Sequence, residues 1–99
     1  MLRSEARVAT ASPRRYLGQL CKHFGHKVPA SCDGRLGRID FPFGPCELDA
    51  SAEDALVLRV AAADDEALAR LEHVVGSHLE RFAFREALEI AWSRTPPAP

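Results

Sequence analysis

Two stretches of this chain repeat apolar residues at helical spacing, and the stretches around them alternate apolar with polar. Tyr16, Leu17, Leu20, Cys21 and Phe24 form the first stripe. Leu68, Leu71, Val75, His78, Leu79 and Phe82 form the second, with Val74 at its margin. A period near 3.6 buries one side of a helix, and a period of 2 buries one side of a strand. The chain must therefore mix two helices with several half-buried strands. Ser12-Pro13 supplies a helix N-cap followed by proline at the first helical position, where its missing N–H costs nothing. Gly25 is a natural stop for the same helix. Asp64 or Asp65 can cap the second, and Asp65 and Glu66 suit its positive N-terminal end.

The alternating runs predict the strands. Ala6 and Val8 share a side within 4–10. Val28, Ala30 and Cys32 share the next face, and Asp33-Gly34 turns the chain. Ile39, Phe41 and Phe43 follow against Arg38 and Asp40. Pro42 marks that run as an edge or its end, and Gly44-Pro45 marks the following turn. Cys46, Leu48 and Ala50 alternate with Glu47 and Asp49. Leu56, Leu58, Val60 and Ala62 line one side of a strand whose other side carries Val57 and Arg59, which suggests a more central position. Leu88, Ile90 and Trp92 predict a final strand. The order β-α-β-β-β-β-α-β gives a two-layer α+β sandwich: a largely antiparallel sheet with both helices on one face. The opposite face, with Arg7, Arg38, Asp40, Glu47, Asp49 and Arg59, is then either wet or a homodimer surface. Residues 1–94 form a single α+β domain, and 95–99 form a flexible proline-rich tail.

Composition limits the function classes. No apolar run approaches the roughly 20 residues that span a bilayer, and no apolar signal core follows Met1-Leu2-Arg3. Three cysteines without a Cys-x-x-Cys unit fit a reducing cytoplasm. Residues 1–45 carry eight basic and three acidic side chains, whereas residues 46–99 carry five and eleven. A pI near 6.4 and that acidic second half oppose a broad nucleic-acid footprint. In the basic half, Arg14, Arg15, Lys22 and Lys27 are candidates for an anion-attracting patch.

Cys21-Lys22-His23-Phe24-Gly25-His26 concentrates the chemistry, with three potential metal ligands within six residues. Cys21, His23 and His26 suit zinc, iron or copper, or a haem iron, with His78, Cys32 or Cys46 as a fourth ligand if the fold brings one near. No second short-spaced pair supports this set, and all three cysteines fall on expected core faces, where free cysteine acts as a small hydrophobe. A metal, iron or zinc, is thus a candidate cofactor that folding does not require. His78, inside an apolar stripe, reads first as a core histidine with one hydrogen bond. Exposed in a cleft beside Arg81, it would anchor a ligand instead. The aromatic residues Phe41, Phe43, Phe82, Phe84 and Trp92 close a core, or some of them line a site for a flat ligand. No nucleophile elbow, phosphate loop or dinucleotide fingerprint is present. Cys21 and His23 point about 200° apart on a helix, so they form no nucleophile–base pair. The expectation is a non-enzyme.

Three motifs together resemble a known family: Leu20-Cys21-Lys22-His23-Phe24 with His26-Lys27; Phe41-Pro42-Phe43-Gly44 with Cys46; and His78-Leu79-Glu80-Arg81-Phe82-Ala83-Phe84-Arg85-Glu86. The likeness runs from about Leu2 to Arg94 and is to the bacterial domain of unknown function family 2218. It implies a stand-alone cytoplasmic protein of this size, or a domain attached to a siderophore-interacting ferric reductase. Iron utilisation is the implied setting, with that reductase the implied partner. The family supplies no catalytic residues to carry over.

Two readings follow. In the first, the chain is an accessory module in iron or siderophore utilisation, with Lys22, His23, His26, Lys27, His78 and Arg81 as the ligand-binding set. In the second, it is an interaction module that dimerises through its sheet and binds no small molecule. Imidazoles converging in a solvent-reachable cleft favour the first. Isolated, individually hydrogen-bonded ones favour the second.

Overall fold

Cross-strand rows of like burial organise the sheet. In the computed structural model, which describes residues 1–95, eight elements follow in order. They are β1 (Leu2–Ala9), α1 (Pro13–Gly25), β2 (Ala30–Cys32), β3 (Leu36–Phe41), β4 (Gly44–Asp49), β5 (Ala55–Ala62), α2 (Asp65–Phe82) and β6 (Ser93–Thr95). The sheet order is β2-β3-β4-β5-β1-β6, with every neighbouring pair antiparallel. The expected α+β class and element order hold.

Register explains the two faces. Leu48, Leu58 and Ala6 lie in one row, and Ile39, Cys46, Val60 and Ser4 in the next. These side chains share one core with Tyr16, Leu17, Leu20, Cys21 and Phe24 of α1 and with Leu68, Leu71, Val75 and Leu79 of α2. One residue out of phase, Arg38, Glu47, Arg59 and Glu5 form a row on the opposite face. There Arg38 pairs with Asp40 and Glu47, and Arg59 pairs with Glu5 and Asp49. Six charges on this face, Glu5, Arg38, Asp40, Glu47, Asp49 and Arg59, are thus paired with one another. Edge strands β2 and β6 have three residues each, which leaves little free ladder for another chain.

The structure corrects several sequence expectations. Leu88, Ile90 and Trp92 are not in a strand; they pack partly buried on the core, and β6 forms only after them. Alternation reports one-sided burial, and this segment gains its burial against α2, where Trp92 passes Gly76. β6 pairs with β1 at Arg3, Ser4 and Glu5, and Arg94 fastens it by binding Glu72 at 2.9 Å. Thr95, assigned to the tail, belongs to β6, and residues 96–99 lie outside the described residues. The third run ends at Phe41: Pro42-Phe43 is the turn, and Gly44 and Pro45 already pair within β4. Ser12 holds the N-cap position without a side-chain cap, its N–H donating instead to Thr10 Oγ1. Asp64 does cap α2, accepting from the Ala67 N–H at 2.8 Å. Gly25 closes α1 without a positive φ, so its freedom is not used there.

Glu86 fixes the segment after α2. It accepts hydrogen bonds from Tyr16 Oη, Thr10 Oγ1 and the Ala11 N–H, tying that segment to the start of α1. The Tyr16 hydroxyl, chief among these donors, holds the Glu86 carboxyl below the usual range, and the same bond raises Tyr16. Among the described residues, no helix is long and apolar enough to cross a membrane.

Candidate functional site

Where the end of α1 meets the last turns of α2, two histidines come together. His23 sits on the flank of the α1 stripe and His78 within the α2 stripe, and both are half-buried. Their ring centroids are 5.0 Å apart. His23 also meets Phe24 edge-on at 5.0 Å and Phe82 at 5.6 Å, while His78 lies 4.8 Å from Phe24. The aromatic chain continues from Phe24 to Phe41 at 4.9 Å and from Phe41 to the stacked Phe43 at 5.5 Å. Arg70 closes that end, its guanidinium 4.4 Å over the Phe43 ring. The turn at Pro42-Phe43 thus delivers two phenylalanines to the same ridge as the histidines.

His78 carries the one hydrogen bond expected of a core histidine, and it stands half-buried rather than exposed. Its Nδ1 lies 2.7 Å from the Val74 carbonyl oxygen, so Nδ1 carries the proton and donates. In the neutral ring, Nε2 then holds the lone pair. His78 is at once an individually hydrogen-bonded histidine and a member of a converging pair.

The electrostatics are one-sided. Burial, first, holds the His23 imidazole below its ordinary value; His78, Lys27, His26 and Arg81 add to the shift in the same direction. Every charged neighbour acting on His23 is thus basic. His26 and Lys27 reach it from the end of α1, and Arg81 from α2. Of the six expected ligand-binding residues, His23, His26, Lys27, His78 and Arg81 share this neighbourhood, whereas Lys22 is exposed and contributes nothing to it.

The metal set Cys21, His23 and His26 does not converge. No three His, Cys, Asp or Glu side chains gather in metal-binding geometry among the described residues. The cause is helical geometry: Cys21 faces the sheet, where its thiol reaches toward the Ser31 carbonyl at 4.0 Å, while His23 faces α2. His26 lies past the helix end and is exposed. Nor do the remaining cysteines supply a fourth ligand. Cys46 is fully buried, its thiol pushed up to about 12 mainly by burial, and Cys32 is exposed on the edge strand rather than in the core. Arg14 and Arg15 open α1 while Lys22 lies near its end, at least about 10 Å along the axis, so the expected basic patch is split.

Arg70 was not expected in this site, and Phe41 and Phe43, expected to close a core or to line a site for a flat ligand, were not placed beside the histidines in advance. The Phe41-Pro42-Phe43 turn is the only sequence signal for them, since Arg70 sits on an otherwise ordinary polar helix side.

Fold and site together define a small antiparallel α+β domain with a basic, aromatic ridge at the helix junction. The chain belongs to the family described as an uncharacterised protein conserved in bacteria, domain of unknown function 2218, whose profile matches residues 5–93. The NMR structure of PA4090 from Pseudomonas aeruginosa is similar at 42% identity and a TM-score of 0.79. That similarity covers 94% of this chain and 96% of that one. No curated protein matches.

Proposed function

We propose that this chain is a non-catalytic, cytoplasmic accessory module that holds an anionic, aromatic ligand on the ridge formed by His23, His78 and Phe82. The observation that carries this reading is the all-basic charge environment of His23. An anion there would be drawn to Lys27 and Arg81, and the half-buried Phe82 ring next to the imidazoles suits a flat ligand. His23 is the group whose protonation state responds: an adjacent anion favours the imidazolium.

Ferric catecholate complexes combine both properties, negative charge and exposed aromatic rings. They also fit the iron-utilisation setting implied by the family resemblance, in which a ferric reductase is the partner. Neither His23 nor His78 is then a resident metal ligand; the iron arrives inside its ligand shell as cargo. The dimer reading has less support, because the open sheet face pairs its own charges and both edge strands are short.

The test is a titration of the isotope-labelled protein with the ferric complex of 2,3-dihydroxybenzoate, alongside the iron-free acid. To avoid broadening by iron, the gallium complex serves for mapping. Amide shifts confined to residues around His23, His78 and Phe82, with affinity at least about tenfold weaker in a His23→Ala/His78→Ala variant, support the reading. Shifts centred elsewhere, or none at millimolar probe, overturn it.

A further inference from the structure

We propose that Cys21 and Cys32 are a redox pair, closing to an intramolecular disulfide by exchange with a low-molecular-weight disulfide such as oxidised glutathione. The juxtaposition depends on Gly37. Cys32 and Gly37 are direct partners across the β2–β3 ladder. A Cβ placed on Gly37 would stand 3.0 Å from Cys21 Sγ and 3.4 Å from Cys32 Cβ. The α1 thiol therefore reaches down to the sheet at a position with no side chain, directly beside Cys32. Because Cys32 and Gly37 share a face, the β2 thiol lies on the side covered by α1 although its edge position leaves it exposed. Disulfides need such converging Cβ–Sγ vectors.

The two sulfurs are suited to different steps. Cys32 is exposed on the edge strand, so it meets the oxidant first. Its thiolate attacks one sulfur of the small disulfide; that S–S bond breaks, and one small thiolate leaves. Cys21 then loses its proton and attacks Cys32 Sγ, releasing the second small thiol, which takes up that proton. One small disulfide is reduced to two thiols as two protein thiols are oxidised to one S–S bond. Burial, followed by the neighbouring Cys32 side chain, pushes Cys21 up to about 12, which keeps it protonated until the mixed disulfide forms beside it. Cys46 is fully buried in the core and takes no part.

The bond would staple the end of α1 to the edge strand β2, across the segment that carries His23, His26 and Lys27. It stands independently of the anion-binding reading, since it concerns only the thiols.

The experiment treats fully reduced protein with oxidised glutathione, alkylates the remaining thiols and digests with trypsin. Expected is an intact mass lower by two hydrogens before alkylation, with the peptide 16–22 cross-linked to 28–35 and Cys46 alkylated. Cys46→Ser retains the cross-link, and Cys32→Ser abolishes it while staying folded, because that side chain is exposed. A persistent glutathione adduct on Cys32 with Cys21 alkylated would overturn the pairing. So would a Cys32–Cys32 dimer, or three alkylated thiols.

Discussion

Replacing Gly44 by alanine should damage this fold far more than its position beside a surface turn suggests. Gly44 has φ +147, where an L side chain is strained, and this alone costs about 1–3 kcal/mol. Its missing Cβ faces the sheet: a carbon there would lie 2.1 Å from the Ala61 carbonyl oxygen and 2.9 Å from Leu71 Cδ1. Normal contact requires the start of β4 to retreat from β5 by more than an ångström. Losing one or two ladder hydrogen bonds at about 1 kcal/mol each brings the total to about 2–5 kcal/mol. Two other glycines separate the causes. Gly34 has φ +91 with open space, so Gly34→Ala should show strain alone, about 1 kcal/mol. Gly18 lies inside α1 with open space and no positive φ, so Gly18→Ala should stabilise by about 0.5–1 kcal/mol. Parallel urea titrations of the three variants give the ranking directly. If Gly44→Ala costs no more than Gly34→Ala, the close approach of β4 to Ala61 is not a feature of the folded protein.

The remaining predictions concern core, charge and metal. Leu17→Ala removes a fully buried side chain between helix and sheet and should cost about 2–5 kcal/mol by denaturant unfolding, whereas Phe84→Ala, at 77% exposure, should stay within about 0.5. Because the folded pKa of His23 is depressed, the unfolded chain binds its proton more readily; its penalty is absent above about pH 6.5 and grows as pH falls through the folded value. His23→Gln should flatten that part of the stability–pH curve, with His78, Lys27, His26 and Arg81 unchanged as its neighbours; an unaltered slope counts against the buried basic environment. On the proposed function, affinity for the catecholate probe should rise between about pH 7.5 and 6 in the parent and not in His23→Gln. Elemental analysis of protein purified from iron- and zinc-replete cells should find well below one metal per chain; stoichiometric metal lost in His23→Ala/His26→Ala would refute the geometry given for those side chains.

Local pattern carried most of the fold. Both helical stripes lie in the core, apart from His78 and Phe82 at its margin, and the long alternation of β5 marks a strand paired on both sides. What local pattern lacks is pairing. Leu88, Ile90 and Trp92 alternate as a strand does but gain burial from α2, and the short Ser93–Thr95 pairing follows them with no alternation to announce it. Cys32 alternates with Ser31 like a core residue, yet β2 is at the edge, and edge position is decided by strands far along the chain. The site shows the same divide. The divergence of Cys21 from His23 is legible from helix geometry alone. The meeting of His23 with His78, or of Phe43 with Arg70, depends on α1, α2 and the β3–β4 turn converging, which no local spacing encodes.

The position of β1 in the sheet has a consequence for synthesis. It leaves the ribosome before the strands that enclose it, yet it lies between β5 and β6, with Leu2 opposite Ala62 and Arg3 opposite Thr95. Ala6 and Val8 must wait for β5 to emerge, and α1 has only half a sheet to rest on until then. Such distant pairing slows folding and leaves the early chain exposed. This domain therefore cannot assemble piecemeal from its N-terminus; it closes in one late, cooperative step, and a nascent chain stalled before β5 would be a natural client for a chaperone.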